Sequence, residues 1–168
     1  EGSIEFSFGA GVMALDKQLS ADRIAPAGFA RVTYNLNEHL GLSVGSGFGS
    51  KSSVTYIQPF AGLVWTANLN QKMSPFLTVG GGGTMARATG FRRTGPGAFG
   101  GAGIRSMIGE NLAVRAEGRI QYESYSEPAI PTAVFNGAAT VGLSYFTGGG
   151  PPRDTDGDGV PDKHDRCA

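Results

Sequence analysis

The chain lacks most of what would mark a catalyst, a nucleic-acid binder or a disulfide-stapled domain. It has one cysteine, Cys167, so no internal disulfide forms. It has two histidines: His39 lies beside Glu38 in a polar turn, and His164 lies in an acidic stretch near the end. Neither is placed to serve Ser43, Ser46 or Ser74 as a base, so no catalytic residue is assigned and an enzyme is not expected. The formal charge is zero, from 14 basic and 14 acidic residues, and this balance speaks against nucleic acid as a partner. No apolar run reaches the roughly 18 residues of a transmembrane helix, and helical periodicity is hard to find. The 28 glycines follow no period of three, and 10 phenylalanines and 5 tyrosines stand among them, so neither collagen nor disorder fits. Gly80, Gly81, Gly82 and Gly83 lack a following Lys-Ser/Thr and a helix, so they are not a phosphate loop. The opening Glu1-Gly-Ser-Ile4 runs straight into a strand-like pattern, as expected of a mature secreted chain.

What the chain does have is alternation. Ile4, Phe6, Phe8, Ala10 and Val12 fall on one face, with Glu5, Ser7, Gly9 and Gly11 on the other. Leu40, Leu42 and Val44 alternate with Gly41, Ser43 and Gly45. Leu112, Val114, Ala116, Gly118, Ile120 and Tyr122 oppose Arg115, Glu117, Arg119 and Gln121. A period of two is the signature of a strand with two unlike faces. Breaks in the pattern predict eight strands, at 3–14, 27–36, 40–49, 54–67, 74–87, 96–108, 112–123 and 134–146. Most are about ten residues or longer, against about five or six in soluble proteins, and a tilted membrane-crossing strand needs about nine to eleven. The connections at 35–39, 68–73 and 109–111 are short and polar. Those at 15–26, 85–95 and 123–133 read as longer and irregular, with 50–53 short but in the same alternating set. Short turns at one end and long loops at the other are the habit of outer-membrane barrels. The expected fold is therefore all-β: an eight-stranded antiparallel up-and-down transmembrane barrel over residues 1–147, followed by a short C-terminal segment, 148–168.

The two faces agree with this. Tyr34, Trp65, Phe135 and Tyr145 fall near strand ends on the apolar face, as in an interfacial belt. The opposite face carries Glu5, Arg31, Arg105, Arg115, Glu117 and Arg119, charges that lipid does not tolerate but that can pair inside a lumen. Glycines at 9, 11, 41, 45, 80, 82, 101 and 103 are expected to make room there for the long arginines. In strand four, Leu63 and Trp65 are expected outward, and Tyr56, Gln58 and Phe60 inward. The soluble alternative is a lipocalin-like barrel, which would turn the charged row of 115–121 toward water. Arg87, Arg92 and Arg93 cluster near an outer loop, where they would be solvated or would meet lipopolysaccharide phosphates.

The last residues form the densest motif. Asp154, Asp156, Asp158, Asp162 and Asp165 stand at positions one, three, five, nine and twelve of a loop, with Gly159 at six and the Val160 carbonyl at seven. This is the spacing with which oxygen ligands surround Ca²⁺, and so many carboxylates repel one another without a cation. Gly148, Gly149, Gly150, Pro151 and Pro152 form a joint ahead of it. The segment resembles a thrombospondin type-3 repeat. In that repeat a cysteine at the position of Cys167 pairs with one further along.

With barrel and tail together, the chain resembles the OmpA/OprF-like outer-membrane proteins. Strand eight, from Phe135 through Val141 and Leu143 to Tyr145 and Phe146, resembles the final-strand signal of such barrels. The resemblance implies a structural barrel in the bacterial outer membrane, with outer-membrane lipid and lipopolysaccharide as partners. It also implies a periplasmic tail that binds Ca²⁺ through Asp154, Asp156, Asp158, Val160, Asp162 and Asp165. Family members usually continue into a peptidoglycan-binding domain, and that activity is not assigned to residues 1–168. Two other roles remain open on the sequence: a barrel that joins a neighbouring chain or second copy through its tail or loops, and a small-solute channel or ligand-binding barrel.

Overall fold

The computed structural model describes residues 2–15, 24–51, 54–67, 72–88, 91–124 and 133–147. They form eight strands: β1 (Ile4–Ala14), β2 (Ile24–Asn35), β3 (Leu40–Lys51), β4 (Val54–Thr66), β5 (Met73–Ala88), β6 (Phe91–Met107), β7 (Leu112–Ser124) and β8 (Ala133–Thr147). Each pairs antiparallel with its sequence neighbours, and β1 pairs with β8, so the sheet closes on itself. Closure leaves no ladder unpaired, the condition for a β-structure in hydrocarbon. Followed from partner to partner, the ring starts at Gly49 and passes through Ala27, Gly11, Thr140, Glu117, Gly103, Phe76 and Thr66. It ends at His39, ten residues from its origin. A stagger of this kind tilts every strand against the barrel axis.

The turns at 36–39 and 108–111 and the junction of β4 with β5 share one end of the barrel, and Ile4 pairs with both Tyr34 and Thr147 there, so the first and last strands begin and finish at that end. In the first turn the Asn37 Oδ1 accepts from the backbone N–H groups of His39 and Leu40, at 2.9 and 2.8 Å. A short side-chain acceptor thus takes the place of a backbone partner at the tight bend.

One expected loop is strand instead. Residues 85–95 do not alternate in hydrophobicity, yet β5 continues to Ala88 and β6 starts at Phe91, paired through Ala88↔Phe91. Backbone hydrogen bonds hold that ladder, and an apolar pattern is needed only where the strand meets hydrocarbon. For the same reason β2 starts at Ile24, three residues before its expected position, and β7 runs on to Ser124.

The outward face is apolar. Phe6, Phe8, Leu42, Val44, Ile120 and Val141 are exposed, with Ile120 at 66% and Val141 at 60%; Ile4, Val114 and Leu143 share that face and are half-buried. Leu63 and Trp65 are exposed, while Tyr56, Gln58 and Phe60 are buried. A contiguous apolar surface around a whole molecule suits lipid, not water, and the soluble lipocalin-like alternative is overturned. Tyr34, Trp65 and Tyr145 stand exposed at the short-turn end, and Tyr122 and Phe135 pack together at the other, with ring centroids 5.3 Å apart.

Candidate functional site: a packed, charged lumen

Alternation places every second residue of each strand inside, and the shape of the barrel then brings together charges that are far apart in sequence. Nearest the short-turn end, Glu5 of β1 accepts from Arg105 of β6 at 2.6 Å and from Arg115 of β7 at 3.3 Å. Ser7 donates to Glu5 at 3.0 Å, and its hydroxyl lies 2.9 Å from that of Ser144 on β8. One level further in, Glu117 accepts from Arg31 Nη2 with both oxygens, at 3.0 and 2.7 Å. It also accepts from Arg115 at 2.9 Å and Arg119 at 3.0 Å. Arg115 therefore bridges the two carboxylates. Toward the far end, Gln58 donates to Glu123 at 2.7 Å. Above these, Met13, Leu15, Ala25, Tyr56 and Ala86 form an apolar cap.

The four arginines are held by more than carboxylates. Arg31 lies over the rings of Phe29 and Phe60, Arg115 over Phe76, Arg119 over Phe99 and Phe60, and Arg105 over Phe146, at 4.3 to 5.6 Å from the ring centroids. At such distances the face of a phenyl ring attracts a cation. This contact accounts for Arg31 Nε and Nη1 and Arg115 Nε, which are buried without a hydrogen-bond acceptor. Several lumen glycines serve the same rings. A Cβ on Gly45 would stand 2.9 Å from Phe60, and one on Gly80 would stand 2.7 Å from Phe99; Gly9 is likewise pressed by Phe29, and Gly103 by Phe76. The sequence expectation that the lumen glycines make room for arginines is corrected: Gly9, Gly45, Gly80 and Gly103 make room for phenyl rings, which seat the arginines, while Gly11 and Gly82 admit close neighbouring backbone and Gly41 and Gly101 lie against backbone and the side chains of Thr33, Asn35 and Thr78.

Little space is left. Two cavities among the described residues of the interior are about 20 and 30 Å³, around Gln58, Arg119 and Gln121, each with room for about one water. The Oε1 atoms of Gln58 and Gln121 are buried without a protein donor, and a water in either cavity would supply one. Buried charges cost free energy unless paired, and each lumen carboxylate and guanidinium described here has a partner. The geometry can hold the barrel rigid and block it.

The sequence-derived pairing of Glu5 and Glu117 with Arg31, Arg105, Arg115 and Arg119 is what the structure contains. Glu123 is absent from the inward row that the sequence predicts, because residue 123 is shared by the expected strand 112–123 and the expected loop 123–133, yet it is 1% exposed on β7. Its signal was available, since it is the next alternate residue after Gln121. His39 directs Nδ1 to the Thr66 carbonyl oxygen at 3.0 Å in a turn, while Ser43 and Ser74 are buried inside the barrel. The expected calcium ligands Asp154, Asp156, Asp158, Val160, Asp162 and Asp165 lie outside the described residues.

Neither the protein-family models nor the curated proteins include a match to this sequence. Solved structures do match. The chain is similar to Neisserial surface protein A, at a TM-score of 0.71 and 16% identity, over 86% of this chain and 99% of that one. It is similar to the N-terminal β-barrel domain of Pseudomonas aeruginosa OprF, at 0.62 and 14%, over 87% and 98%. It is also similar to Ail, the attachment invasion locus protein of Yersinia pestis, at 0.59 and 19%, over 87% and 99%. The fold is that of the eight-stranded outer-membrane β-barrels.

Proposed function

We propose that this chain is a structural outer-membrane barrel whose body is a closed anchor and whose C-terminal segment is a calcium-stabilised extension into the periplasm. The observation that carries the first half is the lumen itself. Four arginines, three glutamates and their phenyl seats occupy the bore, and the cavities between them have room for about one water each. A solute channel needs a continuous wet path, and a ligand-binding barrel needs a cavity of hundreds of cubic ångströms. The direction of the extension is supported by the position of Thr147, which ends β8 at the short-turn end, the periplasmic end in barrels of this type. The calcium role rests on the spacing of Asp154, Asp156, Asp158, Asp162 and Asp165 and on the Val160 carbonyl.

Reconstitution in a planar bilayer tests the closed anchor. The expected record is flat, with at most rare, small openings. Large, steady single-channel conductance overturns this reading.

A further inference from the structure

Resting on the outer-membrane reading, we infer that the outward face from the β5–β6 arginine pair down β6 and across β7, β8 and β1 is a specific seat for a phosphorylated outer-leaflet lipid of the lipid A type. Arg87 and Arg92 would clamp a phosphate, and the small-residue surface below them would receive acyl chains.

The arginine pair comes first. Arg87 and Arg92 are directly opposite each other in the β5–β6 ladder, and both are exposed. Like charges placed opposite one another destabilise a strand pair. Among the described residues neither has an ion-pair or hydrogen-bond partner. The Arg93 side chain lies outside the described set. A phosphate between the two guanidinium groups removes the repulsion and matches their donor geometry.

Their height is right for a headgroup. Trp65, in the girdle at the short-turn end, pairs with Leu77. Arg87 is ten residues further along β5, which is about 25 Å along the axis at roughly 3.3 Å per residue and a 40° tilt. The apolar band of an outer-membrane barrel is about 25 Å tall, so the arginines lie at its outer edge.

The surface below supplies the third argument. From Arg92 the outward residues of β6 descend as Thr94, Pro96, Ala98, Gly100 and Ala102, and the last two border a recess of about 680 Å³ that runs across β7, β8 and β1 past Gly118, Ile120, Gly137, Ala139 and Val12. Sterics do not call for these glycines. A Cβ on Gly100 would meet nothing within 4 Å, and one on Gly118 or Gly137 would make only ordinary contact; none of the three has a positive φ. Inside the barrel the opposite holds, since Cβ atoms at Gly9, Gly45, Gly80 and Gly103 would collide with rings. Glycine weakens a strand, and glycine without an internal reason marks a place where something else approaches closely. A second copy of the chain is the poorer occupant. An isologous contact would set the same patch against itself and bring two arginine pairs together.

The test uses the folded barrel in micelles doped with bisphosphorylated lipid A, with retained lipid counted by native mass spectrometry. The unaltered chain is expected to keep one lipid A. The double substitution Arg87→Gln, Arg92→Gln is expected to lower retention by about tenfold or more. Gly100→Leu with Gly118→Leu, at positions with open space, is expected to lower it as well. Lipid A stripped of its phosphates should be held poorly by every form. Equal retention by the double glutamine form, or of the dephosphorylated lipid, overturns the clamp, and unchanged retention after Gly100→Leu with Gly118→Leu overturns the acyl seat. Cross-linked dimers through Gly118 would assign the face to a second copy instead. Heat-modifiable migration of the folded barrel on gels is read in parallel, so that failure of the membrane-barrel reading is distinguished from failure of the lipid site.

Discussion

Arg31 on β2 presents one guanidinium nitrogen to both oxygens of Glu117 on β7, at 3.0 and 2.7 Å, across 86 residues of sequence and the width of the barrel. Both side chains are almost fully removed from solvent. Glu117 also receives Arg115 and Arg119, so a single carboxylate balances three cations, one of which it shares with Glu5.

Glu117→Ala should therefore destabilise the barrel by about 3–5 kcal/mol, the cost of leaving buried charges without their partner. Urea unfolding in lipid vesicles checks this. A loss below about 1 kcal/mol would mean that water and Glu5 compensate. Arg31→Met together with Glu117→Gln should recover part of the loss, because it removes one charge of each sign.

Lumen and surface glycines should respond in opposite ways to alanine. Gly80→Ala forces a Cβ against Phe99 and the Ala61 carbonyl, so it should cost stability and disturb the seat of Arg119. Gly100→Ala meets nothing. It should be neutral or stabilising by up to about 1 kcal/mol, through the unfolded chain. Paired unfolding curves of the two variants decide the matter.

The chain has a single tryptophan, Trp65, exposed on the outward face in the girdle. In vesicles its emission should be blue-shifted, and lipids brominated near the headgroup should quench it more strongly than lipids brominated near the chain ends. Emission like that of tryptophan in water would contradict the membrane setting.

The tail should bind Ca²⁺ in preference to Mg²⁺, which demands tighter octahedral geometry. Isothermal titration of the whole chain should register uptake that Asp156→Ala and Asp158→Ala each weaken. Uptake that ignores both substitutions would remove the proposed loop.

The sequence revealed the two faces of the barrel because hydrocarbon and a narrow lumen impose opposite chemistry on successive residues. Arg115, Glu117 and Arg119 against Val114, Gly118 and Ile120 could be sorted without coordinates. The long β5–β6 hairpin was not legible. Above the hydrocarbon no lipid selects for an apolar outward face, and the ladder from Ala86↔Arg93 to Ala88↔Phe91 runs on by backbone pairing. The phenyl seats were hidden for a different reason. A phenylalanine inside a polar row reads as an exception until the ring is seen beneath a guanidinium, as Phe99 is beneath Arg119. Glu123 was hidden by a boundary, since residue 123 both ends the expected strand and opens the expected loop, whereas β7 runs on to Ser124 and buries the acid.

The charge pairs also bear on how the barrel comes together. Glu5 sits on the first strand and its guanidinium partners on the sixth and seventh, while Ser7 meets Ser144 across the junction of β1 and β8. A half-inserted sheet with β1 still detached would carry Arg105 without its carboxylate inside the bilayer. The zipping of that junction and the neutralisation of the interior are thus one event, and the open intermediate is penalised until the last strand arrives.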